Sequence, residues 1–94
     1  MSEKAVRGIR ISVRGRVQGV WFRKNTQARA RQLGLSGWVK NETDGSVTAE
    51  VFGPIEQVDA LLRWCHVGPE LARVDSVDAV EIPFREEEGF RIEG

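Results

Sequence analysis

A guanidinium at Arg23 follows two glycines, Gly15 and Gly19, in the run Gly15-Arg16-Val17-Gln18-Gly19-Val20-Trp21-Phe22-Arg23. Where a strand hands over to a helix, such a run can build an anion site. Glycine reaches backbone angles closed to other residues, so the N–H groups of Arg16, Val17, Gln18, Gly19, Val20, Trp21 and Phe22 can turn into one concavity. A helix start adds free N–H donors and the positive end of its dipole. Arg23, on the first turn, can close the pocket with a planar fork matched to two phosphate oxygens. A glycine-spaced loop also serves simply as a tight turn, so a second segment matters. It is Gly37-Trp38-Val39-Lys40-Asn41-Glu42-Thr43-Asp44-Gly45-Ser46-Val47, which sets the amide of Asn41 ahead of an Asp-Gly turn. An Asn in that place is also an ordinary turn residue.

Together the two runs resemble the acylphosphatase family. Its first motif reads Gly-x-Val-Gln-Gly-Val-x-(Phe or Met)-Arg, and its second reads Gly-aromatic-small/aliphatic-basic-Asn followed by Gly-x-Val; both stand here without a gap. The likeness runs from Ile9 to Phe90-Arg91-Ile92 and takes in Gly53-Pro54 and Gly68-Pro69 with Ala72 and Val74. Trp21 fills a variable slot of the first motif. Glu86-Glu87-Glu88, outside both motifs, is expected to be a solvated loop. The resemblance implies that Arg23 and the loop N–H groups hold a phosphoryl group and that Asn41 is catalytic. Gly15 and Thr43 are candidate supports, Thr43 being equally readable as a strand-end hydroxyl.

The chemistry agrees. These motifs contain no Ser-His pair, no cysteine nucleophile and no clustered carboxylates for a metal. An amide is no general base at neutral pH, but it accepts a hydrogen bond and orients a water. Phosphoryl transfer through a loose transition state asks mainly for positioning and charge stabilisation. Such a site needs a good leaving group: a carboxylate of pKa ~4 departs unaided, whereas an alkoxide needs a general acid. The expected substrate is therefore a small acyl phosphate, with inorganic phosphate as product and competitive inhibitor, and no metal or organic cofactor.

The elements that must position these groups follow from periodicity. Ile9, Ile11 and Val13 alternate with Arg10, Ser12 and Arg14, as in a strand buried on one face. Phe22, Thr26, Ala30 and Leu33 recur at helical spacing, and Gly34 stands where a left-handed cap belongs. Trp38–Asn41 and Val47–Phe52 read as strands of a tight hairpin around Asp44-Gly45. Pro54 opens a second helix in its first turn, with Ile55, Val58, Leu61, Leu62 and Cys65 on one face. A strand over Val77–Ile82 and a short one at Phe90–Ile92 complete the chain. The order is that of a ferredoxin-like α/β sandwich, βαββαβ, an antiparallel sheet with two helices on one face. The first two strands then run parallel and bring Asn41 to the sheet edge that carries the loop.

Ninety-four residues suit one domain, taken as 1–94. Fourteen basic and fourteen acidic residues cancel, so no broad field recruits nucleic acid or a membrane surface. One cysteine forms no internal disulfide, and Met1–Arg10 carries no apolar run of signal length, which fits a monomer in the cytoplasm. Cys65 reads as core and His66 as a helix-end or surface residue. Two rival classes use the same elements: a noncatalytic acyl- or carbamoyl-phosphate-binding module, and an RNA-binding ferredoxin-like domain. The latter needs stacking aromatics on its central strands, where the first strand offers Arg10, Ser12 and Arg14.

Overall fold

The computed structural model describes residues 5–94, so the reading of the first ten residues falls partly outside it. In chain order the elements are β1 (Val6–Arg16), α1 (Phe22–Gln32), β2 (Ser36–Asn41), β3 (Val47–Pro54), α2 (Ile55–Cys65), β4 (Arg73–Ile82) and β5 (Phe90–Glu93). They form one five-stranded sheet in the order β4-β1-β3-β2-β5. All neighbours are antiparallel except β2 and β5, which pair in parallel. The sheet is therefore mixed, not purely antiparallel, and the α+β ferredoxin-like order holds around it.

Register explains the layers. Ile9 lies opposite Val51, Ile11 opposite Ala49 and Val39 opposite Ala49, so these side chains share one face. There they form a single cluster with Phe22 and Ala30 of α1 and with Val58, Leu61 and Cys65 of α2. Thr26, buried on the same stripe of α1, donates its hydroxyl to the Phe22 carbonyl at 2.7 Å, which makes a core position of a polar residue. α1 closes as its sequence suggests. The N–H of Leu35 reaches the Ala30 carbonyl and that of Gly34 the Arg31 carbonyl, with Gly34 at φ 73°.

Three local expectations shift. Pro54 is the N-cap of α2 and not its first turn, which turns Ile55 outward. The β2–β3 connection is no two-residue hairpin but spans Glu42 to Ser46, closed by the Glu42 N–H on the Ser46 carbonyl at 2.8 Å. Within this short hairpin the Asp44 carboxylate accepts both the N–H and the hydroxyl of Ser46. Glu87 is not solvated either. Arg85 and Arg91 clamp it at 2.7 and 3.0 Å, leaving its side chain 16% exposed.

The sheet face away from the cluster carries Arg10, Ser12, Thr48, Glu50 and Phe52. Glu50 is buried between Arg10 and Arg85. Phe52 lies beneath Phe84 and the Arg85 guanidinium, 6.3 and 4.6 Å away between centres. Phe52, the aromatic that β3 puts on this face, is thus covered.

Candidate anion-binding site

β1 and β2 run in the same direction on either side of β3, so Arg16 and Asn41 finish at one edge of the sheet. β1 leaves that edge through a bulge. Its pairing with β4 slips between Arg14 and Gly15, where φ is 132° and a Cβ would lie 2.2 Å from the Arg73 carbonyl oxygen. Only glycine fits there. The loop then turns through two left-handed residues, Gly19 at φ 75° and Trp21 at φ 67°, before α1 begins.

The start of α1 is built to stay open. Trp21 is its N-cap, no side chain caps it, and its first turn holds no acidic residue. The first intrahelical bond is made by Asn25, whose N–H meets the Trp21 carbonyl at 3.0 Å. The N–H groups ahead of it keep their donor capacity, at the positive end of the dipole.

A cavity of about 340 Å³ opens at this spot, lined by Val17, Gly19, Trp21, Phe22, Arg23, Lys24, Asn41 and Ile92. Six of the expected site residues thus meet. Three loop members do not line it: Arg16 is exposed, Val20 belongs to the core cluster, and the Gln18 side chain turns away to the carbonyls of Glu42 and Ser46. Thr43 is exposed on the turn outside the lining, and Gly15 contributes the bulge. Lys24 and Ile92 were not foreseen. Lys24 follows Arg23 on an outward turn, a signal the sequence did contain, whereas Ile92 arrives only through the parallel pairing of β5, where it stands opposite Val39.

The charges in the cavity are of one sign. Arg23 and Lys24 line it, no carboxylate does, and among the described residues neither cation joins a salt bridge. Asn41 lines the same cavity, and its Oδ1, like Gln57 Oε1 outside the site, is buried with no hydrogen-bond partner among the described residues. A buried acceptor without a donor costs free energy and calls for an explanation at a functional site. Nearby, the Ser46 hydroxyl and N–H, then Arg14, hold the Asp44 carboxyl down at about 2. Burial drives the Cys65 thiol up to about 12 and removes it as a nucleophile. His66 is exposed, its Nδ1–H donating to the Leu62 carbonyl at 3.0 Å. Among the described residues no three His, Cys, Asp or Glu side chains group to hold a metal ion, and no helix is long and apolar enough to cross a membrane.

The chain is similar to known proteins in sequence and fold. An acylphosphatase of Rubrobacter xylanophilus is 50% identical over 82 residues, covering 87% of this chain and 74% of that protein. The structure of an acylphosphatase from Coxiella burnetii superposes with a TM-score of 0.92 at 35% identity, over 99% of this chain and 100% of that one. The acylphosphatase of Bacillus subtilis gives 0.90 at 32% identity, over 96% and 100%. The acylphosphatase family profile matches residues 9–92, and with the anion cavity at the start of α1 this places the chain in the acylphosphatase family.

Proposed function

We propose that this cavity is where the chain, an acylphosphatase, splits the carboxyl–phosphate bond of acyl phosphates, with Arg23 and Asn41 dividing the work. Arg23 and the free N–H groups at the start of α1 hold the phosphoryl oxygens and stabilise their charge. The Asn41 side-chain amide hydrogen-bonds a water and aims its oxygen at phosphorus. As that oxygen bonds to phosphorus, the bond to the acyl oxygen breaks and its electron pair leaves with the carboxylate. The water's proton passes to a phosphate oxygen or to solvent. A carboxylate leaves without a general acid or a Lewis acid, so the reaction requires no metal and no organic cofactor. Residues 1–94 act as one domain and as a monomer in the cytoplasm, without nucleic acid or membrane. Inorganic phosphate competes with substrate.

The observation that carries this reading is the meeting of Arg23 and the uncapped start of α1 with Asn41 of β2, a separate element, around one cavity that no carboxylate lines. The test is hydrolysis of acetyl and benzoyl phosphate in excess chelator, beside glycerol phosphate and phosphoserine. The acyl phosphates turn over unimpaired and the alkyl esters orders of magnitude more slowly. Loss of activity with chelator, or comparable rates on alkyl esters, overturns the mechanism.

A further inference from the structure

In the proposed function Arg23 and the start of α1 hold the phosphoryl group in the cavity. Much of the remaining lining is apolar, and two large members of it face solvent. Trp21 is 66% exposed and Ile92 40% exposed. Single exposed apolar side chains are ordinary, but these two come from distant parts of the chain to one cavity beside an anion site. The other tryptophans have occupations: Trp64 packs on Phe22 and under Arg29, and Trp38 lies by Lys40. Among the described residues no ring or cation is stacked on Trp21. Its backbone also stands at φ 67°, an angle that glycine holds freely and a bulky residue holds only at a cost, and such cost collects at ligand-binding positions.

We infer that Trp21 and Ile92 seat the acyl group, and that the enzyme favours acyl phosphates with aromatic or branched aliphatic acyl groups over acetyl phosphate. This rests on the cavity being the phosphate site. Both side chains line the cavity that Arg23 lines, and a ring or branched chain laid against them buries apolar surface where a methyl group buries little. The contact distinguishes substrates by their acyl part, which the phosphate donors do not read.

The experiment compares kcat/KM for benzoyl and acetyl phosphate in the native enzyme and in Trp21→Gly, Trp21→Phe and Ile92→Ala. Glycine tolerates the left-handed angle, and Ile92→Ala leaves the loop untouched. The ratio of the two substrates removes any loss common to both, and comparing that ratio between variant and native enzyme removes their intrinsic reactivities. Expected is a roughly three- to ten-fold fall in the benzoyl-to-acetyl ratio in Trp21→Gly, a smaller fall in Ile92→Ala, and recovery in Trp21→Phe, on the scale of one aromatic contact. An unchanged ratio, even with both activities reduced, overturns the acyl seat and leaves Trp21 a loop residue. If the native enzyme hydrolyses neither substrate, the reading of the cavity itself falls and the acyl seat falls with it.

Discussion

The side-chain amide of Gln18 donates to the carbonyl oxygen of Glu42 at 2.8 Å, tying the loop after β1 to the residue that follows Asn41. The same nitrogen reaches the Ser46 carbonyl at 2.9 Å. The loop after β1 and the turn that follows Asn41 are therefore tied into one piece.

Gln18→Ala unties them. Losing these bonds costs ~1–2 kcal/mol of stability, read as a lower urea midpoint at unchanged slope. With the turn after Asn41 no longer held against the loop, kcat falls more than KM rises, because misplaced groups act mainly on the transition state. Equal kinetics in the variant would show that the tie is structural only.

Arg23→Ala removes charge-assisted bonds worth about 1.5–3 kcal/mol each, so losing two lowers kcat/KM by ~10³-fold or more. Arg23→Lys restores little of it, since an ammonium lacks the planar fork. Steady-state kinetics and inhibition by inorganic phosphate check both variants, and near-native values in Arg23→Ala would place the site elsewhere.

Asn41→Ala separates activity from stability. The variant loses the buried acceptor that has no partner, so its thermal midpoint stays level or rises. Phosphate still raises that midpoint, because Arg23 and the helix start remain. Turnover nonetheless falls by at least ~10²-fold. Parallel loss of phosphate binding and activity would make Asn41 a binding residue.

Acid stability depends on the same turn. The Asp44 carboxyl titrates at about 2 in the folded chain against 3.8 when free, because Ser46 donates to it twice and Arg14 once. A depressed pKa gives stability that is complete above the free value and is lost as pH falls through the folded one, here from about pH 4 to about pH 2. Asp44→Asn therefore flattens the fall of the thermal midpoint across that window. The slope that remains belongs to carboxylates depressed in the same direction: Glu50, where Arg10 and Arg85 outweigh burial, Glu87 and Asp75.

Sequence made the site legible wherever the chemistry was local. Gly15 and Gly19 announce left-handed backbone, Arg23 sits a fixed step along α1, and the parallel course of β1 and β2 sends Asn41 to the same edge. What escaped depends on contacts between distant segments. Ile92 enters the cavity because β5 pairs in parallel with β2, and Glu87 is drawn in by arginines on both sides of it. The Asp44-Gly45 pair signals a tight hairpin by its backbone preferences alone, but the connection spans Glu42 to Ser46, with the Asp44 carboxylate bonded to Ser46. Gln18 reads as one more loop residue until its partners are seen.

The place of β1 between β3 and β4 has a consequence for synthesis. Its outer partner starts at Arg73, 57 residues beyond Arg16, and sheets built from such distant pairings close slowly. At ~5–20 residues per second a ribosome needs roughly 3–11 s to make that stretch. Until β3 is made, the strand that carries Ile9, Ile11 and Val13 has both edges unpaired, and its edge toward β4 stays open for the rest of those seconds, when wrong pairing competes most.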